Sequence, residues 1–418
     1  MCFRVAMLSL HTSPLARPGR HRDAGGMNVY VRQMGKELGR GGMLVDVFTR
    51  WTDPADPLIE TMADGVRLIR VQAGPITPLP VAELAPHVDE FARRVMRFAS
   101  LQSQPYDLIH SHYWLSGVAG MKLAREWDVP HVTMFHTVER LKGERLGAPA
   151  PLTAAGERRA EHEGLIAAST DCVTVATTHE RDQLRRLYGL SAAHMEVIPC
   201  GVDLRNFNAG STERRRAARA ALALDEDAPV LLSVCRLDPI KGTDLLLESV
   251  AALRTRATVV LVGGNPEGDP ELERLRQRAA ELGIADRVRL PGAEPQERLP
   301  LYYHAADLLV VASRYESFGL VAVEALACGT PVVAAHVGGL PSIVRDGDNG
   351  LLIPWRSPEA FAEGIDALLE DAPRLARLRL AARPSVLRFD WRHIGDQMRA
   401  VYESLTAERR EALACCCQ

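Results

Sequence analysis

Residues 307–335 read DLLVVASRYESFGLVAVEALACGTPVVAA, and this run decides the fold class. DLLVVAS is continuously apolar from Leu308 to Ala312, which suits a strand buried on both faces. RYESFG is a polar, glycine-ended loop. LVAVEALACG reads as a helix of about two and a half turns, closed by Gly329, and Pro331 leads into the apolar run PVVAA. Strand, loop, helix and strand in this order belong to a parallel α/β sheet.

The same alternation runs through the chain. RVAMLSL, VDVFTR, VRLIRV, DLIHSH, HVTMFH, DCVTVAT and MEVIPC precede residue 204; VLLSVCR, TVVLVGG, RVRLPG, DLLVVAS, PVVAA and GLLIP follow it. Segments such as MNVYVRQMGKELGRGG and GTDLLLESVAALRT between them have helical spacing. At 418 residues the chain is too long for one ordinary core. The expected architecture is two doubly wound, Rossmann-like α/β domains facing an interdomain cleft. The boundaries are expected at 1–203 and 204–384, with a C-terminal helix, 385–418, rejoining the first domain. The break falls in PCGVDLRNFNAGSTERRR, where a strand gives way to Gly and Asn and then to an arginine-rich helix. Ligands in such sheets bind at the carboxyl ends of strands.

Fifty basic residues against 53 acidic ones give a net charge of -3, which implies no nucleic-acid partner and no membrane attraction. No run approaches membrane-spanning length, and MCFRVAMLSLHTSP is too short in its apolar part for a secretory signal, so a cytoplasmic protein is expected. Cys2, Cys172, Cys200, Cys235 and Cys328 read as small core residues in a reducing compartment. The final CCCQ reads as a disordered tail rather than a prenylation box. Only Lys36, Lys122, Lys142 and Lys241 are lysines, so the position of each carries information.

Three stretches carry chemistry. In HTSPLARPGRHRDAGGMNVYVRQMGKEL, Gly25 and Gly26 open a helix, with Asn28 in its first turn, and backbone N–H groups there can approach an anion. The motif is neither GxGxxG nor a Walker loop. In VCRLDPIKGTDLLLESV, Arg236 ends a strand and Lys241 precedes the next helix, a pair suited to clamping a diphosphate. In the opening stretch Glu316 lies in the loop and Glu324 more than a turn inside the helix. The N–H groups of Ser317, Phe318, Gly319, Leu320 and Val321 lie at the helix start, available to phosphate oxygens. Glu324 stands among Ala322, Val323, Ala325 and Leu326, so it needs a polar partner. As a glycosidase pair, Glu316 and Glu324 would have to flank one bond about 5–10 Å apart; gripping two ends of one ligand suits their placement better. His136 closes an apolar strand. His110 and His112 have metal-like spacing but no evident third ligand, and no metal site is expected.

Together these stretches resemble the retaining nucleotide-sugar glycosyltransferases of the GT-B fold, of the group 1 or family 4 type. The resemblance rests on Glu316-SFGLVAV-Glu324, the upstream Arg236 and Lys241, GTPVVAAHVGGLPSIVRDGDNGLL and the glycine loop, in order from residue 3 to about 400. It implies a UDP-sugar co-substrate and no required cofactor, with a divalent metal not implied. It implies that Arg236 and Lys241 hold the diphosphate, Glu324 the ribose, Glu316 the transferred sugar, Gly26 the donor phosphate region, and that His136 lies beside the reacting sugar. Within the family, HTSPL, DAGGMNVY, VDVFTR, YDLIHSHYWLSG and GTPVVAAHVGGLP look closest to the branch of inositol-phosphate N-acetylglucosaminyltransferases and sucrose-phosphate synthases.

That branch implies a small polar, phosphorylated acceptor met by Tyr113, Thr137 and one of Arg158 or Arg159. The acceptor-phosphate lysine of the resemblance is missing: PITPLPVAELAP holds none, with Val81 near its place, and Arg17, Arg20 or Arg22 are the alternative sources of charge. The expected partners are small molecules, and a homodimer is left open. An epimerase, a glycoside phosphorylase and a non-catalytic nucleotide-sugar-binding regulator are the competing readings.

Overall fold

The computed structural model describes residues 2–16, 25–141, 152–265 and 267–416. They divide into two compact units. One holds the residues up to Ala16, Gly25–Pro199 and the chain from Trp391 onward; the other holds Cys200–Asp390. The division therefore falls at 199/200, and residues 385–390 stay with the second unit.

The first unit is built on an eight-stranded sheet. Its strands are β1 (Arg4–Leu8), β2 (Leu44–Arg50), β3 (Ile59–Ala63), β4 (Val66–Val71), β5 (Leu108–His112), β6 (His131–Met134), β7 (Cys172–Val175) and β8 (Met195–Val197), in the order β3-β4-β2-β1-β5-β6-β7-β8. Every pairing is parallel except β3 with β4. β1 is buried along its whole length, as its unbroken apolar run requires. β3 is the strand that apolar runs do not reveal: IETMA is half polar and lies at the sheet edge with one neighbour.

The second unit has six parallel strands: β9 (Val230–Val234), β10 (Thr258–Val262), β11 (Val288–Gly292), β12 (Leu308–Val311), β13 (Val332–Ala335) and β14 (Gly350–Ile353). Their order is β11-β10-β9-β12-β13-β14. The core packs β9, β10, β12 and β13 against helices Thr243–Ala252, Pro270–Glu281 and Pro358–Leu369 through Leu246, Leu247, Val250, Leu275, Phe361 and Ile365. At the start of β12, Asp307 accepts from Val230 N at 2.8 Å, Arg219 at 2.6 Å and Arg379 at 2.6 Å, tying the first ends of β9 and β12 together.

Among the parallel strands the order reverses between β1 and β5 in the first unit and between β9 and β12 in the second. There the two flanking helices depart to opposite faces and leave a crevice at the carboxyl ends of the strands.

The C-terminal helix Trp391–Cys416 packs on helix Gly26–Arg40 of the first unit, and it runs through Cys415 and Cys416, where a disordered tail was expected. Cys2 is a second correction: it is exposed, its Sγ donating to Gly42 O, whereas Cys172, Cys200 and Cys328 are buried and Cys235 is half-buried. All five are free thiols. Among the described residues no helix is long and apolar enough to cross a membrane.

Candidate functional site

In the second unit the candidate residues gather at the β9/β12 reversal. Past β9 the chain turns through Pro239–Lys241 into helix Thr243–Ala252. Gly242 at the junction has φ 70°, and a Cβ there would stand 2.1 Å from Ala312 O. Only glycine lets the turn lie so close to the end of β12. Arg314 N donates to Ile240 O at 2.7 Å, and Arg356 donates from Nε and Nη2 to Ser313 O and Ala312 O, fixing the loop from the other side. This packing brings Lys241 Nζ to 2.7 Å from Glu316 Oε1, which also accepts from Ser313 Oγ at 2.9 Å. Gly338, at φ 55°, passes so near that a Cβ would be 1.9 Å from Glu316 O. Arg236 is exposed on the same loop.

Gly319, at φ 106°, caps helix Leu320–Ala327. The first intrahelical donors are Ala322 and Val323, both to Gly319 O, so the N–H groups of Phe318 to Val321 are not spent within the helix. Phe318 contributes only backbone there, because its ring packs edge-on against Phe389 in the core. Glu324 has the partners its apolar setting demands: Tyr303 OH at 2.8 Å on Oε2 and Gln296 Nε2 at 3.1 Å on Oε1. Burial still pushes its carboxyl up to about 7.

A raised folded-state value means that the contribution of Glu324 to stability is full below its usual 4.5 and is lost as pH rises through about 7. Glu324→Gln removes that loss. Between pH 4 and 8 the wild type should therefore fall by about 3 kcal/mol relative to the variant. Denaturant midpoints across that range measure it, and parallel curves would refute it.

In the first unit the candidates gather at the β1/β5 reversal. His136 follows β6 at the centre of a tight turn, with φ 58° and Thr137 N donating to Phe135 O at 2.6 Å. Tyr113 follows β5 with φ 74°. Two non-glycine residues at positive φ on adjacent strand ends mark a strained, over-determined region. His112 Nδ1 lies 3.0 Å from His136 Nε2. Among the described residues no group of three or more His, Cys, Asp or Glu is arranged to hold a metal.

Burial pushes His136 and His11 down to about 3, with His11 adding to the effect on His136 and Arg159 to that on His11. His110 and His112 are also held well below the usual imidazole range, chiefly by burial. All four are neutral near pH 7.

Tyr113, Thr137 and Arg159 form one cluster. Arg159 Nη1 donates to Tyr113 OH at 3.0 Å, and Nη2 donates to Thr137 O at 2.8 Å and Oγ1 at 3.1 Å. Glu163 at 2.7 Å and Glu139 at 2.9 Å complete the ion pairing. Of Arg158 and Arg159 it is Arg159 that joins this cluster, while Arg158 is exposed. Arg159 pairs with Glu163 one helical turn on, at i,i+4. His11, whose ring lies 4.3 Å from Tyr113, and Glu139 had no sequence signal.

Gly25 and Gly26 start helix Gly26–Arg40 as expected. Asn28 is occupied otherwise: Oδ1 accepts from Gly25 N at 2.9 Å, while Nδ2 donates to Thr12 Oγ1 and Ser13 O. Its amide holds the glycine loop in shape. Val81 is half-buried against the core, and Arg17, Arg20 and Arg22 lie outside the described residues.

The family model of glycosyl transferases group 1 matches residues 214–384, and that of glycosyltransferase family 4 matches residues 24–206. D-inositol 3-phosphate glycosyltransferase of Xylanimonas cellulosilytica is 41% identical, covering 97% of this chain and 98% of the relative. The protein of the same name from Acidothermus cellulolyticus is 42% identical over 98% of this chain and 92% of its own. Among solved structures, sucrose-phosphate synthase from Thermosynechococcus elongatus matches with a TM-score of 0.89 at 36% identity, covering 97% of this chain and all of that one.

Proposed function

From the premise that this chain belongs to the group 1 and family 4 glycosyltransferases of the GT-B fold, we propose a retaining transfer of a hexose or N-acetylhexosamine from a UDP-sugar to a hydroxyl of a small polar acceptor. The observation that carries this reading is the contact of Lys241 with Glu316 beside the unspent N–H groups of Phe318 to Val321. It sets a cation, a carboxylate and a helix start within one donor-sized region.

Lys241 and exposed Arg236 neutralise the diphosphate as it leaves, and the helix start adds backbone donors to the same oxygens. Glu316 accepts from the hydroxyls of the transferred sugar, and Glu324 accepts from the ribose. The acceptor oxygen bonds to the anomeric carbon on the face from which the diphosphate departs. The acceptor's proton goes to the departing phosphate oxygen, so no side chain need serve as general base. The neutral histidines fit this scheme: His136 offers a hydrogen bond and not a proton. Gly26, at the start of its helix, offers a backbone N–H to an anion. Tyr113, Thr137 and Arg159 form the acceptor site, and the second unit holds the donor. We place the enzyme in the cytoplasm, where UDP-sugars are made and free thiols persist.

An inositol phosphate is the favoured acceptor, supported by the names of the relatives that match along the whole chain. A second reading, glucose transfer to fructose 6-phosphate, is favoured by the likeness to sucrose-phosphate synthase and by Val81 standing where an acceptor cation is expected.

The test pairs UDP-N-acetylglucosamine and UDP-glucose with inositol phosphate and fructose 6-phosphate. UDP should be released only when donor and acceptor both match. Formation of sucrose phosphate would overturn the aminosugar preference, and silence across a broad panel of UDP-sugars and acceptors would overturn the transferase reading.

A further inference from the structure

Tyr303 is fully buried on helix Leu299–Ala305, and the proposed mechanism gives it no task. A buried hydroxyl needs a partner, and its partner is the carboxylate of Glu324, with Tyr303 OH donating to Oε2 at 2.8 Å. Phenylalanine would fill the same space without that need. Tyr303 is pinned at both ends: Thr330 Oγ1 donates to Tyr303 O at 2.7 Å, and the ring stands at 64° to Phe207 with 6.0 Å between centroids. The hydroxyl therefore reaches Glu324 from a fixed point 21 residues away in the chain.

An ionised carboxylate offers about four acceptor sites, and a protonated one gives up part of them to its own O–H. With Tyr303 on Oε2 and Gln296 on Oε1, the ionised form of Glu324 keeps about two, a match for the two neighbouring hydroxyls of a ribose. The charged form has little other support. Strands β12 and β13, which pack on this helix, bring only apolar side chains. On helix Leu299–Ala305, Tyr302 OH turns to Glu294 and His304 to Asn208 O. On helix Ala372–Val386, Arg379 pairs with Asp307, and Arg383 spends its guanidinium on the carbonyls of Leu204, Phe207 and Ala327. Cys328, just past the helix, is a thiol that burial keeps neutral. Against the upward push of burial, which sets the Glu324 carboxyl at about 7, stand the bonds from Tyr303 and Gln296.

We infer that Tyr303 is a positioning residue of the donor site, whose hydroxyl fixes the carboxylate of Glu324 and favours its charged form, so that Glu324 meets the ribose as an acceptor only. The inference rests on the assignment of Glu324 to the ribose made above. Affinity for a uridine nucleotide then rises with pH as Glu324 ionises, and Tyr303 sets the pH at which this happens.

UDP is the probe, and titration calorimetry of the full chain gives its affinity and the protons released on binding. Loss of one hydrogen bond to the charged form should move the ionisation of Glu324 up by about 1.3 pH units. The dissociation constant of Tyr303→Phe should then exceed that of the wild type about 20-fold at pH 6 and about 10-fold at pH 7, and come within about 2-fold of it at pH 8.5. At pH 7 the wild type should release about half a proton more than Glu324→Gln, and Tyr303→Phe nearly a whole one, a comparison that cancels the titration of UDP itself. Thr330→Val, which removes the anchor on Tyr303 O, should move both quantities the same way by a smaller amount.

An equal weakening at all three pH values would overturn the inference. So would proton release unchanged from wild type in Tyr303→Phe or, where that variant does not fold, in Thr330→Val. If Glu324→Gln binds UDP as the wild type does at every pH, the ribose assignment falls and the inference with it. If Glu324→Gln weakens binding and Tyr303→Phe does not, the assignment stands and the inference alone falls.

Discussion

Lys241→Met should lower kcat/KM for sugar transfer about 100- to 1,000-fold, the loss of about 3–4 kcal/mol of transition-state stabilisation typical of a charge aimed at a leaving group. The variant also leaves Glu316 without its ion-pair partner. The two side chains are only 19% and 13% exposed, so solvent does not fully substitute for either. Glu316→Gln alone should cost less, since the amide oxygen can still accept from Lys241 and Ser313. The double variant should then be about as impaired as Lys241→Met alone, a smaller loss than the product of the two separate losses, because each residue holds the other in place. Initial rates of UDP release for the four proteins complete the cycle. Multiplicative losses would mean that the 2.7 Å contact is incidental. Wild-type rates in Lys241→Met would remove the lysine from the site.

The pairing of Lys241 with Glu316 bridges 75 residues, and nothing local announces it. Both residues stand out singly, the lysine by its rarity and the glutamate by its place before an apolar helix. Their contact depends on Gly242 lying against β12, a tertiary fact. The parallel strands were legible because burial on both faces leaves an unbroken apolar run. β3 was not, because an antiparallel edge strand such as IETMA needs no such run. Position in sequence could put Phe318 and Asn28 among ligand-facing residues but could not say which atoms remain for a ligand. The ring of Phe318 belongs to the core, and the amide of Asn28 is spent on Gly25, Thr12 and Ser13. Glu324 went the other way: its apolar neighbours called for a polar partner, and Tyr303 and Gln296 supply two.

Arg159→Leu should destabilise the first unit by about 3–5 kcal/mol, the usual cost of removing one partner of a buried ion pair. Arg159 is 7% exposed and Glu163 not at all, so the carboxylate left behind would have no cation and no water. It would keep Tyr188 OH at 2.6 Å and Glu139 N at 3.0 Å, hydrogen bonds that a neutral amide oxygen can also accept. Arg159→Leu/Glu163→Gln should therefore recover much of the lost stability, a result that lost packing alone would not produce. Urea unfolding of wild type, single and double variants measures this; a double variant no more stable than Arg159→Leu would show that the arginine acts through its bulk. Activity should part company with stability in the same proteins. The double variant regains the fold but not the guanidinium that spans Tyr113 and Thr137. A refolded yet inactive double variant is the outcome expected if Arg159 belongs to the acceptor site, and a refolded, fully active one would confine it to the scaffold.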